Sequence, residues 1–531
     1  MFSQLLERLG KVEEKLETLS TSSGPDRPQQ DLDRVINDWT ISASKNTTPS
    51  SAIQSSQSYT LILPTQLIET GTSLENESSV AYTAKTSCQS SESPKSYGHF
   101  PTVAEDFTKK ANYLNRTPFS CEECRPILPE AIDDADRTES KDILVLLVYF
   151  FEHTCTLFPI ICDQATYMMA SVVGVRGFRD ELQSCLILLM IALSKAYRDH
   201  QSLESGLADF QRAVQVLSRL SVQFTLPYAQ AQVLAALFLF KKGRLLNFWS
   251  YLNAGCTALS VMIQRDENLC RERSPEDIKT TLRLYWICYN LERDLVNEIG
   301  SFPRSSLYQL EDRLPLPLGC DESDTASLSS SVRTVRTYTF FLAEMSLKST
   351  LARIISITGG DSYLETSLNS SVEISPLMQE LNAQIGEWVI SLPSFLDWSP
   401  EPTRGTCSPI ATRLKLIYWF TRLSLSKSHI LHVLHDSDHQ LPFLGWKFFQ
   451  DGILAGVNMI KVSVMEESEV DVIMGNRLAS TISLLKDATA KGCCPTLSEE
   501  NGNVILQECI DMLWRQLAYK SEWITCRLHA L

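Results

Sequence analysis

Positive charge is scarce in this sequence. Its 531 residues carry 48 lysines and arginines against 63 aspartates and glutamates, for a net charge of -15. So acidic a surface repels a phosphate backbone, which argues against unaided nucleic-acid binding by the whole chain. No basic cluster stands out as a nuclear import signal. Lys241, Lys242 and Arg244 form only a short run beside an apolar helix. Catalytic signatures are missing as well. There is no Walker-type phosphate loop, no GxGxxG after a strand, no GxSxG elbow and no HExxH. The chain is therefore expected not to be an enzyme; an enzyme would need a polar pocket with perturbed ionisable groups.

Long apolar runs are few. The longest, Ile143 to Ile161, carries Glu152 and His153 in mid-span and Pro159 near its end. A central charge makes a membrane span costly, so a buried helix is expected and no membrane partner. The first residues contain no apolar h-region of a secretory signal. Complete metal-ligand sets are missing too. Cys121 and Cys124 have zinc spacing, but a closed site needs four ligands, and Cys493–Cys494 do not supply the other pair. His429, His432, His435 and His439 share one broad helical face near Asp436 and Asp438. Histidines near a helix end more often meet carbonyls or solvent than a metal. No metal, cofactor or catalytic residue is expected in this chain.

Cysteine, by contrast, is present in an odd number, 15. Cys185, Cys256 and Cys288 sit in apolar stretches and read as small buried hydrophobes. Unpaired thiols point to a reducing compartment.

With 44% hydrophobic residues, the chain can bury a large core. Its organisation reads as three parts. Residues 1–20 hold an a/d seam, with Phe2, Leu9 and Leu16 at a and Leu5, Val12 and Leu19 at d. In a parallel dimer Arg8 at g would meet Glu13 at e of the partner. Residues 21–140 are rich in Ser, Thr, Gln and Pro, and bury too little apolar surface to offset chain entropy; a mostly disordered linker is expected. From 141 to 531 the apolar spacing is helical throughout, with no sustained period-2 alternation. Leu182, Cys185, Leu186, Leu189, Leu193, Ala196 and Tyr197 form one stripe. Ser274 reads as an N-cap, with Pro275 first in the helix and Glu276–Asp277 favourable in its first turn. The expected fold class is all-α, a large multi-helix domain with one irregular serine-rich loop at TASLSSSVRT.

Two charged features stand out against this background. Glu292–Arg293 interrupts the stripe Leu282, Tyr285, Trp286, Tyr289, Val296, Ile299; such a pair is expected to be ion-paired, at a cavity edge, or rotated outward. The acidic stretch MEESEVD, Met465 to Asp471, is a candidate for contacting transcription machinery.

The helical part resembles the middle homology region of fungal binuclear zinc-cluster transcription factors. The resemblance is carried by five pieces in order: LVLLVYFFEHTCTLFPIICDQATY, SCLILLMIALSKAYRD, LPYAQAQVLAALFLFKKGRLLNFWSYLNAGCTALSVMIQRDE, LRLYWICYNLERDLVNEIGSFPRSSLYQLEDRLPLPL and LIYWFTRLSLSKSHILHVLH. They cover residues 141–440. Departures include Met262-Ile263-Gln264 in place of a Gly-Leu-His turn, and the absence of the family's six-cysteine, two-zinc module with its basic helix. The resemblance implies a nuclear transcriptional regulator of a metabolic or biosynthetic gene set, all-α in this region. It further implies a homodimer or mixed dimer formed through Phe2, Leu5, Leu9, Val12, Leu16 and Leu19. Zinc and promoter DNA would be bound only through a module absent from this chain. The alternative is a ligand-sensing or protein-binding co-regulator without DNA binding, acting through mixed dimers.

Overall fold

In the computed structural model the described residues are Asp142 to Leu531, with Phe119, 121–123, 125–129 and Thr138 before them. Short stretches inside the main span, the longest 318–327 and 358–375, are not among them. The heptad residues Phe2 to Leu19 and most of the expected linker also lie outside the described residues.

The described residues are helical, with no strand among them. In chain order the helices are α1 (Ile143–Leu157), α2 (Asp163–Arg176), α3 (Leu182–Arg198), α4 (Leu207–Arg219), α5 (Leu226–Lys241), α6 (Leu245–Asn268), α7 (Pro275–Ile299), α8 (Leu328–Ile357), α9 (Pro376–Ile390), α10 (Pro409–His435), α11 (Phe443–Met465), α12 (Val472–Ala490), α13 (Glu500–Leu517) and α14 (Glu522–His529). The all-α expectation holds.

Local sequence explains several of these boundaries. Helix α5 starts at Leu226 with Pro227 in its first turn, where a missing N–H costs nothing. Ser274 caps α7 as expected, its Oγ accepting from the Asp277 N–H at 3.1 Å. Asp471 caps α12, a carboxylate oxygen accepting from the Met474 N–H at 2.8 Å. Apolar width then sorts the helices by depth. Tyr228 to Phe240 of α5 are buried without exception, so this helix is central. It packs on α3 and α6, while α10 packs on α8 and α11. Helix α1 is two-faced. Ile143, Leu146, Leu147 and Phe150 are buried, and Leu144, Val145 and Val148 are exposed. Among the described residues no helix is long and apolar enough to cross a membrane.

One expectation fails locally. The serine-rich stretch is not one irregular loop, because α8 already begins at Leu328. Near the C-terminal end the helix breaks between α13 and α14 at Ala518–Ser521. The N–H groups of Lys520 and Ser521 both donate to the Leu517 carbonyl, at 2.9 and 3.0 Å, which closes the turn.

Gly206 shows how tightly neighbouring helices approach. It precedes α4 with φ of 76°, and a Cβ there would lie 2.3 Å from the Ala192 carbonyl oxygen on α3. Gly206→Ala is therefore expected to destabilise the protein by about 2–4 kcal/mol, from left-handed strain plus overpacking. Gly177→Ala is the control. Its φ is 74° but nothing lies within 4 Å of the added Cβ. It should cost only about 1–2 kcal/mol. Urea denaturation of both variants checks this; equal losses would show that the close contact contributes nothing.

Candidate functional site

Charges isolated on apolar helices must find each other or lose their hydration uncompensated. Asp294 and Glu298 lie one turn apart on α7, Glu344 and Lys348 one turn apart on α8, Arg413 on α10 and Arg477 on α12. The fold brings all six together. Lys348 Nζ lies 2.7 Å from Asp294 and 2.8 Å from Glu344. Arg413 bonds Glu344 at 3.0 Å, and Arg477 bonds Asp294 at 3.2 Å and Glu298 at 2.6 Å. Burial alone would raise the Asp294 pKa, but Lys348 and Arg477 outweigh it and hold the carboxyl well below the usual range. Burial likewise opposes the ionised form of Glu344, and Arg413 and Lys348 overcome it. Both arginines are held charged more firmly than in water, since burial is exceeded by the carboxylates they meet.

This cluster forms part of the wall of a cavity of about 700 Å³. Its lining comes from α1 (Leu157), α3 (Tyr197), α5 (Phe240, Lys241), α7 (Leu291, Asp294), α8 (Lys348), α10 (Thr412, Arg413, Ile417), the segment before α12 (Glu466, Glu469, Asp471), α12 itself (Ile473, Arg477) and the turn after α13 (Lys520). Of the acidic stretch Met465–Asp471, Glu466, Glu469 and Asp471 line the cavity, and Glu469 remains exposed. Glu466 is buried and accepts from Lys415 Nζ at 2.7 Å and Thr412 Oγ1 at 2.6 Å. Burial works against its ionised form, but Lys415, Thr412 and Thr403 hold its pKa below the ordinary value. Glu469 pairs with Lys241. Glu467 lies outside the described residues.

In the run Lys241–Arg244 the first and last residues are half-buried. Lys242 is buried, its ammonium donating to the Ser202 carbonyl at 2.8 Å. Burial pushes its pKa down to about 7, with Lys520 and Lys241 adding to the shift.

A short segment ahead of α1 docks here. Glu122 is only 6% exposed. Its carboxylate accepts from the Leu245 N–H at the start of α6, at 2.9 Å, and from Arg125 at 3.0 Å. Arg125 donates in turn to the Gly243 carbonyl at 2.5 Å and to the Lys520 carbonyl. This strap ties the α5–α6 turn to the α13–α14 turn.

The other predicted residues scatter. Glu292 is buried and accepts from Ser305 Oγ at 2.9 Å, while Arg293 bonds Asn290 at 2.9 Å. They are not paired with each other, and it is the next residue, Asp294, that reaches the cavity. His429 is fully buried, stacked on Phe448, and its Nε2 has no partner. Burial drops its pKa to about 4, so it is a neutral core residue and not a surface one. The His435 side chain and His439 lie outside the described residues, as does Cys124. Among the described residues no three His, Cys, Asp or Glu groups could hold a metal ion. Cys185, Cys256 and Cys288 are buried free thiols, as read from the sequence.

Comparison with models of known protein families, with curated proteins and with solved structures finds no match.

Proposed function

We propose that this chain is a nuclear transcriptional regulator of fungal zinc-cluster type, acting on a metabolic or biosynthetic gene set. Its helical domain would be the sensing module. One observation supports this above others. Four of the five pieces that carry the family resemblance fall on α1, α3, α5 and α7, the fifth falls on α10, and all five helices line the same cavity. A module that must couple a small ligand to the arrangement of distant helices needs a chamber of this kind, walled by segments far apart in sequence. The pocket's lining is mostly apolar but includes perturbed ionisable groups, as an enzyme would also require. However, the perturbed carboxylates on its wall are held ionised by cations, which suits binding better than proton transfer. Dimerisation through Phe2 to Leu19 and contact with transcription machinery belong to the same proposal.

The test uses the full chain fused to a heterologous DNA-binding domain, upstream of a reporter in a fungal host. Reporter output should change relative to the DNA-binding domain alone. Without the fusion, the purified chain should give no salt-sensitive shift of any specific duplex. A silent fusion, or tight specific binding by the bare chain, would overturn the proposal. The presence of the cavity also favours a second reading, a metabolite-binding co-regulator acting through mixed dimers. In that case the fusion is silent but the free chain represses a full-length relative.

A further inference from the structure

Among the described residues, the cavity wall contains a cation whose ammonium meets no carboxylate or carbonyl, only the ring of Tyr519 at 5.4 Å from its centroid. Lys520 sits in the turn between α13 and α14 and is 5% exposed. Its backbone is fixed on both sides. Its N–H donates to Leu517, and its carbonyl accepts from Arg125 of the strap. Its ammonium has neither a hydrogen bond nor an ion pair with any described residue. Glu469 and Asp471 are near enough to act on it electrostatically, as is Lys241, but both carboxylates are engaged. Glu469 is taken by Lys241, and Asp471 caps α12 and faces Arg413 at 3.8 Å. Asp294 and Glu466 are saturated as described above. A cationic ligand would therefore find the buried wall carboxylates already occupied. An anionic group would find a desolvated ammonium on a backbone already fixed, in a cavity also lined by Leu157, Phe240, Leu291 and Ile473. Preorganisation of this kind lowers the ordering cost of binding, and a charge-assisted bond to a buried ammonium is among the stronger polar contacts available.

We propose that the cavity binds a small organic anion with an apolar body, its carboxylate or phosphate seated on the Lys520 ammonium. This rests on reading the cavity as the sensing chamber of a regulator. The volume suits it, since pockets of about 300–1,000 Å³ hold molecules of drug size.

The test uses the purified full chain and anilinonaphthalene sulfonate, an anion on an aromatic body that fluoresces when its water is removed. Saturable one-site binding is expected. Naphthoate and naphthyl phosphate should displace the probe; whichever does so at lower concentration identifies the headgroup. Naphthol and naphthylmethylamine should not displace it at the same concentrations. Lys520→Met should weaken binding by about ten- to a hundredfold, the worth of a hydrogen bond to a charged group. The variant should stay folded, because it removes an unpaired buried charge. Leu157→Trp, which narrows the cavity and leaves Lys520 in place, should also weaken binding. The proposal is overturned if naphthol or the amine competes as well as naphthoate, if Lys520→Met binds as the parent does, or if Leu157→Trp has no effect. The two readings fail separately. A responsive reporter fusion without Lys520-dependent binding removes this site and leaves the regulator. Lys520-dependent binding with a reporter silent in the presence of naphthoate leaves the site and removes the regulator.

Discussion

Asp294→Ala is expected to lower the free energy of unfolding by about 3–5 kcal/mol, the range for breaking one side of a buried ion pair. Asp294 is 8% exposed and serves two cations, Lys348 and Arg477, whose own side chains are 4% and 2% exposed. Removing the carboxylate leaves both with reduced compensation. Lys348 keeps Glu344, and Arg477 keeps Glu298. The cost is therefore the desolvation of charge newly in excess, more than the loss of two attractive contacts. Two comparisons isolate that cause. Arg219→Ala breaks a pair whose partners are 65% and 63% exposed, and should shift stability by less than about 1 kcal/mol. The triple replacement Asp294→Leu, Lys348→Met, Arg477→Met should recover part of the loss, because an apolar set of similar volume has no charge left to strand. Urea midpoints for the four proteins decide the matter. If Asp294→Ala matches Arg219→Ala, the cluster is solvated and the cavity wall is not the low-dielectric surface described above.

How much of this could be read from the chain beforehand follows from what a local pattern can encode. Helical class was legible because apolar spacing on α3, α5 and α7 is a property of neighbouring residues. So was the α7 N-terminus, where Ser274 and Pro275 satisfy or remove orphan N–H groups within three residues. The cavity was not legible. Its charges lie on α7, α8, α10 and α12, and no spacing within one helix says which cation meets which carboxylate. A partial signal existed at Glu292–Arg293, a charge pair interrupting an apolar stripe, but it pointed two residues too early. The helix turns by about 100° per residue, so Glu292 reaches Ser305 and only Asp294 faces the cavity. Arg477 within VIMGNRLASTI carries the same kind of signal, a lone charge in an apolar helix. The break at Ala518–Ser521, which positions Lys520, has no Gly or Pro to announce it. At Met465–Asp471 composition gave no sign that Glu466 would be buried and paired with Lys415 on another helix. The burial of Glu122 was not legible either, since it depends on an α6 N-terminus more than a hundred residues away.

The second large effect concerns pH. The folded protein should become more stable, by about 2 kcal/mol, as pH rises from about 7 to about 9. Burial pushes Lys242 down to about 7 and Lys520 down to about 8, against an ordinary value of 10.5 in the unfolded chain. Between those values and 10.5 the unfolded state binds more protons than the folded one, so stability rises with pH across that window; below the folded values the full penalty of charging both lysines remains. The groups around them explain why neither is rescued. Lys242 feels Lys520 and Lys241 against only Asp199, and Lys520 feels Lys241 against Glu469 and Asp471. At higher pH the trend should reverse. Burial raises the Cys185 thiol to about 12 and the Cys509 thiol to about 11, so the unfolded chain releases those protons first. Thermal midpoints across this range should therefore pass through a maximum, and Lys242→Met with Lys520→Met should flatten the rising limb. A profile unchanged by the two replacements would show that neither ammonium is desolvated in the folded state. An anion bound at Lys520 would raise that lysine's pKa toward its ordinary value. In saturating naphthoate, then, the Lys520 share of the rising limb should disappear while that of Lys242 persists, so the pH profile would register an occupied cavity with no probe attached to it.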